Sequence, residues 1–372
     1  MKFDSNGRYL KTFDGASQGL WLPVLIVIDK TNSIYVGDEI NNLFTFNQNG
    51  EITGKIGSKG SNPGQFNLLT DMAIDNTGNR FILDSSYSCG RGGCLSTNNG
   101  RIQRFDSNDK FQSQWGTTGL EPDRFQNLQN VFIDNKDNIY VYDTNAGCST
   151  NEFYRLKKFA NNGQFLSQRT TFIESCYLTN FIVDNEENLF IPDGKKVKVF
   201  DSNGNLIRSW DITGTTYFAG YIATDRSGIL YFSPERKKIV KYSRDGQYLG
   251  ELVGNFNEPE VLTGSDGNLY VINTGSNPRL IQVIDTNGSI IRQFTADHLF
   301  NYATDKKGNF YVYTSKGSEQ TISKYTQDGN YTILFNIPHT DGDGQIGYPK
   351  FAVDTNLNVI VLDSRIQKFR QR

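Results

Sequence analysis

The chain has 372 residues, of which 37% are hydrophobic and 21% charged, with 26 Phe, 19 Tyr and a formal net charge of −2. This composition belongs to a chain with a large core and excludes a disordered one. The near-balance of charge excludes a global field that would recruit nucleic acid or an anionic membrane, and no apolar run reaches the ~18 residues that suggest a spanning helix.

The chain opens on "MKFDSNGRYLKTFDG", an apolar pair, a turn and an alternating run, which reads as a hairpin lacking its first half. A repeated unit follows. In "MAIDNTGNRFILD", "VFIDNKDNIYVYD", "FIVDNEENLFIPD" and "FAVDTNLNVIVLD", an apolar strand ends in Asp and a short Asn/Gly turn leads to a second apolar strand. A third strand, a turn and a fourth come next, as in "VKVFDSNGNLIRSW" and "IQVIDTNGSIIRQF". Each unit therefore predicts four antiparallel strands, A to D, joined by tight turns. The Asp closing strand A recurs at Asp29, Asp75, Asp134, Asp184, Asp225, Asp305 and Asp354, with Gly264 in that place in the sixth unit. Four-stranded units of this length, repeated this often, predict an all-β fold: a single β-propeller spanning residues 1–372. The spacing gives eight blades, with seven as the alternative.

The last unit, "YPKFAVDTNLNVIVLDSRIQKFRQR", stops after three strands. Residues 346–372 are expected to supply strands A to C of blade 8, and residues 1–14 its strand D, which closes the ring. Lys2-Phe3 and Lys368-Phe369 compete to finish strand C, and Phe369 is the expectation, with the first residues loosely held.

The linker "GSKGSNPGQFNLLTDMAIDNTGNRFILD" followed by "GRIQRF", and "SRIQKF" near the C-terminus, resemble the NHL repeat. Known relatives with this repeat are six-bladed. The resemblance implies a propeller fold without fixing a function. Blades 5 and 6 depart from the pattern, and blades 2 and 3 carry insertions.

With strand A innermost, B–C loops and D–A linkers share one face, here called the top. The longest B–C loops are "SSYSCGRGGCLSTNNG" in blade 2 and "TNAGCSTNEF" in blade 3. Insertions on one face mark a binding face, which makes Tyr87, Arg91, Asn151 and Glu152 candidate ligand contacts. Lys195 and Lys196 of blade 4, with Arg236 and Lys237 of blade 5, add cations to the same face. These could attract an acidic glycan or protein. RNA-binding NHL domains look similar in using a basic top surface, yet no aromatic platform interleaves with the charges here, so nucleic acid is disfavoured.

Four cysteines, Cys89, Cys94, Cys148 and Cys176, lie in or beside these loops. Their expected arrangement is Cys89–Cys94 and Cys148–Cys176 disulfides, with one four-cysteine zinc site or free thiols as the alternatives. The sequons at Asn287 and Asn330 are candidate glycosylation sites. Four residues before each strand-A Asp, the NHL pattern favours Gly. This chain instead has Leu25, Asp71, Asn130, Asn180, Tyr221, Glu260, Asn301 and Lys350. Gluconolactonase-like propellers are similar in binding a divalent cation at comparable strand-A starts. Asp71, Asn130, Asn180, Glu260 and Asn301 would thus suit Ca2+ or Mg2+ at the channel mouth.

With only two histidines, His298 and His339, and no Ser-His-Asp spacing, no catalytic residue stands out. The sequence favours a non-catalytic binding or scaffold propeller for protein or glycan, at the cell surface or outside the cell. A metal-dependent hydrolase or lyase and an RNA-binding domain are the alternatives. Met1 is followed by polar residues, so no secretory leader is visible, and the chain is read as having lost one or as part of a longer polypeptide or assembly.

Overall fold

A computed structural model describes residues 2–362, apart from segments 97–99, 145–152, 173–180, 215–220 and 338–349 and isolated positions in turns and loops. Among these residues, seven four-stranded antiparallel sheets are each built from strands in chain order. Blade 1 runs Pro23–Ile28, Ile34–Asp38, Leu43–Phe46 and Ile52–Ile56 as strands A to D. In blade 2, strands A (Leu69–Ile74) and B (Arg80–Asp84) are separated from C (Arg101–Phe105) and D (Phe111–Trp115) by an extra two-stranded hairpin, Tyr87–Gly90 and Gly93–Ser96. Blades 3 to 7 begin with strand A at Leu128–Ile133, Ile182–Val183, Ile222–Thr224, Pro259–Thr263 and Leu299–Thr304.

One further four-stranded sheet is composite. Lys350–Val353 and Val359–Leu362 from the C-terminal end pair with Lys2–Phe3 and Tyr9–Lys11 from the N-terminal end, in the order Tyr9–Lys11, Lys2–Phe3, Val359–Leu362, Lys350–Val353. Among the described residues there are thus seven self-contained blades, the count held above as the alternative. The eight frames of the sequence arise because the two chain ends share a sheet. The expected strand C is corrected as well. Lys2 lies opposite Ile360 and Phe3 opposite Val359, so the N-terminal pair occupies the place assigned to Phe369. Phe3 is buried with Tyr311, Tyr313, Ile322, Leu334 and Val359. Lys2 and Phe3 are therefore core rather than loosely held, and burial of an aromatic ring is the physical reason. Residues 363–372 lie outside the described residues.

The sheets form a ring because each has two apolar faces that only neighbours can cover. Separate apolar clusters join blades 1 and 2 around Phe66 and Phe105, 2 and 3 around Phe81, Phe125 and Phe159, and so on to blade 7 and the composite sheet. Strand A of blade 1 packs on strand A of the composite sheet and of blade 2, and blades 2–3 and 5–6 make the same strand-A contact. Strand A therefore lines the centre, and the B–C loops and D–A linkers share the top face. At the start of two of these linkers, Gly57 (φ 84°) and Gly116 (φ 88°) leave room for Phe66 and Phe125; a Cβ there would sit 2.3 and 2.2 Å from the ring.

Candidate binding face

The repeated acids are the first candidates, and the fold uses them. Asp29 Oδ1 accepts the backbone N–H of Thr31 and Ser33 at 2.9 and 2.8 Å, and its Oδ2 accepts the Tyr35 hydroxyl at 3.1 Å. Asp305 repeats this with Lys307 and Asn309 N–H and the Tyr311 hydroxyl, and Asp225 with Ile229 N–H and the Tyr231 hydroxyl. Blade 6 has Gly264 in this place, yet Asp266, two residues on, accepts Asn268 N–H and the Tyr270 hydroxyl. Burial, with the neighbouring carboxylate, raises the Tyr231 and Tyr270 phenols well above their ordinary range, so they stay protonated donors. These aspartates close the A–B turn and clasp strand B; Asp354 lies outside the described residues.

The aspartates ending strand B hold the top-face linkers. Asp84 Oδ1 accepts Asn67 and Leu68 N–H at 2.8 and 2.9 Å, and Asp143 Oδ1 accepts Gln126 and Asn127 N–H at 2.8 Å each. Burial pushes both carboxyls up, against backbone donors and the adjacent arginines that pull them down. Arg101 pairs with Asp84 at 3.1 Å and donates to the carbonyls of Ser61, Asn62 and Gln65. Arg155 pairs with Asp143 and donates to Leu120 O at 2.8 Å. Lys157, fully buried, donates to the carbonyls of Glu121, Pro122 and Arg124, and burial lowers its ammonium to about 8. The cationic partners Arg101, Arg155 and Lys157 are not among the residues singled out from the sequence.

At the channel mouth, Leu25, Asp71, Asn130, Glu260 and Asn301 occupy equivalent positions, opposite Gly37, Leu83, Tyr142, Ile272 and Tyr313 of strand B. In blades 1, 2, 3 and 7 the register slips immediately before this residue. Such bulges re-aim a side chain. Asp71 Oδ2 accepts Val131 N–H of the next blade at 2.9 Å, and Asn130 Nδ2 lies 3.5 Å from the same oxygen. Glu260 Oε1 accepts the Tyr221 hydroxyl at 2.8 Å. The structure thus brings Asp71 to Asn130 and Glu260 to Tyr221, pairing blades 2 with 3 and 5 with 6. Among the described residues no three His, Cys, Asp or Glu side chains gather. Asn180 lies outside the described residues, and only the backbone of Asn301 is described.

On the top face, the hairpin of the blade 2 B–C loop sets Cys89 directly opposite Cys94 and Tyr87 opposite Ser96. Arg91, Asn151, Glu152, Cys148, Cys176 and Arg236 lie outside the described residues. Lys195, Lys196 and Lys237 are exposed. Lys196 lies 3.1 Å from Asp211 Oδ1, and Lys238 pairs with Glu251, so outer-strand acids neutralise part of the expected basic patch. Asn287 and Asn330 are exposed at the C–D turns of blades 6 and 7, on the opposite face.

A family model described as DUF5128, a 6-bladed beta-propeller, matches residues 24–88, which span blade 1 and the first part of blade 2. No curated protein sequence matches the chain. Among solved structures, the chain is similar to BamB from Moraxella catarrhalis, with 12% identity and a TM-score of 0.49 over 91% of this chain and 96% of that one. It is also similar to virginiamycin B lyase from Staphylococcus aureus, in selenomethionine form, with 12% identity and a TM-score of 0.47 over 78% of this chain and 93% of that one. The WD40 beta propeller domain of Doa1 follows, with 11% identity and a TM-score of 0.47 over 82% and 91%. The described sheets make this chain a β-propeller. These distant likenesses carry nothing about its activity.

Proposed function

We propose that this chain is a non-catalytic binding or scaffold propeller of NHL type, engaging a protein or glycan through the top-face B–C loops of blades 2 and 3. One observation carries the reading. The hairpin Tyr87–Gly90/Gly93–Ser96 forms its own two-stranded sheet and belongs to no blade. The repeated acids have partners within the fold, and irregular segments on a rigid scaffold are where recognition resides.

The same reading places the chain outside the cytosol, with Cys89–Cys94 and Cys148–Cys176 as disulfides. The hairpin register supports the first pair. Gly90 and Gly93 flank a two-residue loop, so Cys89 and Cys94 form the next, non-hydrogen-bonded pair. In such a pair the Cα atoms are about 4.5 Å apart, within the range a disulfide spans.

Because Asp84 and Arg101 are register partners, an Asn-Gly turn between Ser85 and Gly100 can replace residues 86–99 and leave the blade intact. The intact chain, immobilised and exposed to the extracellular fraction of its source, is expected to retain a partner that the turn variant loses at an unchanged melting temperature. Equal retention by the two would overturn the proposal.

A further inference from the structure

The linkers that lead into blades 2 and 3 are two copies of one loop. Phe66 N–H donates to Ser58 O at 2.8 Å and Gly60 N–H to Phe66 O at 3.0 Å; Phe125 N–H donates to Thr117 O at 2.8 Å and Gly119 N–H to Phe125 O at 2.8 Å. Each loop is held by two residues of strand C that share a face, because alternate strand residues do. In blade 2 these are Arg101 and Gln103, and in blade 3 Arg155 and Lys157. Arg101 and Arg155 lie opposite Asp84 and Asp143, and Gln103 and Lys157 lie opposite Ile82 and Val141, so the two pairs are equivalent. Arg101 donates to Ser61 O and Arg155 to Leu120 O, the matching carbonyls of the two loops.

The second residue of each pair differs in charge. Gln103 Oε1 accepts Gly64 N–H at 2.8 Å, and its Nε2 donates to Gln65 O at 2.6 Å. Lys157 Nζ donates to Glu121 O at 3.0 Å, Pro122 O at 2.9 Å and Arg124 O, and lies 5.3 Å from the Phe125 ring centroid. Both residues are fully buried. The blade 2 site therefore encloses Arg101 with Asp84, whereas the blade 3 site encloses a second cation beside Arg155 and Asp143. The groups that face Lys157 are Arg155 on its own strand, Asp143 on strand B, the neutral amide of Gln168 opposite it on strand D, and the exposed Glu121, Asp123 and Arg124 of the linker.

Enclosing the second charge costs desolvation and repulsion that the carbonyls offset only in part. Burial, then Arg155, lowers the Lys157 ammonium from 10.5 to about 8. Once the linker lifts and the ammonium meets water, it returns to its ordinary value. The open form thus holds the proton more tightly than the closed one. Opening is favoured most below about 8, and that advantage is lost as pH rises towards 10.5. The neutral amine keeps N–H groups to donate, so the loop contacts outlast the charge.

We propose that the linker 116–125 is a pH-sensitive latch, looser while Lys157 is charged and tighter once it has given its proton to solvent, and that its twin 57–66 is not. The latch reaches the root of the blade 3 B–C loop. Asp143 accepts Gln126 and Asn127 N–H, and Thr144 N–H donates to Asn127 O at 3.2 Å. Acidification therefore loosens the base of that loop, whether or not the loop binds a partner.

Rapid-quench amide exchange of the whole chain, expressed as protection relative to the intrinsic rate at each pH, reads both linkers in one sample. The probes are the Gly119, Arg124 and Phe125 amides against those of Gly60, Gln65 and Phe66, all hydrogen-bonded within their loops. Protection in the blade 3 linker is expected to rise about tenfold relative to its twin from about pH 7 to about pH 9, as the two proton affinities imply. Lys157→Gln, which copies blade 2, is expected to remove the rise, and Gln103→Lys to create one at 57–66. Linkers that change in parallel in the unaltered chain, a fall at 116–125 over this range, or a rise that persists in Lys157→Gln would overturn the proposal.

Discussion

The buried Asp143–Arg155 pair offers a quantitative check on how the top face is held. Arg155 and Asp143 side chains are 3% and 0% exposed, and they join strands B and C of blade 3 at register partners. Arg155→Met keeps most of the volume but removes the counter-charge of Asp143 and the donor to Leu120 O. Breaking a buried pair from one side costs about 3–5 kcal/mol, because the remaining charge is left uncompensated. Asp143 retains the N–H groups of Gln126 and Asn127, so the lower half of that range applies, about 3 kcal/mol. Asp143→Asn with Arg155→Met removes both charges and should recover about 1 kcal/mol or more of the loss, a coupling expected of groups in contact. Urea unfolding of the two single variants and the double variant measures the cycle, and amide exchange over residues 116–127 reports the linker. A loss below about 1 kcal/mol in Arg155→Met, with unchanged exchange in the linker, would refute the clamp.

Two further outcomes follow from other parts of the ring. Phe3→Ala removes a ring that is 5% exposed and packed across the composite sheet; it should cost about 3 kcal/mol or more by urea unfolding, whereas Leu10→Ala, at 39% exposure, should cost under about 0.5 kcal/mol. Glu187 bridges Lys136 and Lys158; burial raises its carboxyl, but hydrogen bonds from the two lysines outweigh this and hold it at about 2. A carboxyl lowered in the folded state stabilises above its ordinary value of 4.5 and loses that contribution as pH falls towards about 2. Glu187→Gln should therefore flatten the fall of melting temperature between those limits, and an unchanged acid limb would count against the bridge.

Much of the architecture is legible in the sequence because two periodicities coincide. Alternating apolar strands and Asp-led turns recur together, and Asp29, Asp225 and Asp305 mark their blades by the same backbone hydrogen bonds. The tyrosine half of the clasp is not legible, since Tyr35, Tyr231 and Tyr311 look like ordinary strand formers until the fold sets each against its Asp. Arg101 and Arg155 escape notice for a different reason: their acceptor carbonyls lie 35–40 residues earlier in the chain. Lys2-Phe3 and Lys368-Phe369 are the same dipeptide, so no local signal tells which completes the sheet; pairing with Ile360 and Val359 decides it. The channel-mouth positions could be read from the repeat, but the bulge before Asp71 and Asn130 leaves no mark of its own in the residues.

The most direct test of the account compares amide hydrogen exchange of the chain purified alone with that of the chain purified in complex from its native source. Protection concentrated at residues 86–99 and 144–153, with the C–D turns at Asp106, Asp201 and Asp285 unchanged, is the predicted result. Protection confined to those turns or to the outer strands, with the blade 2 and blade 3 loops exchanging as in the free chain, would contradict it.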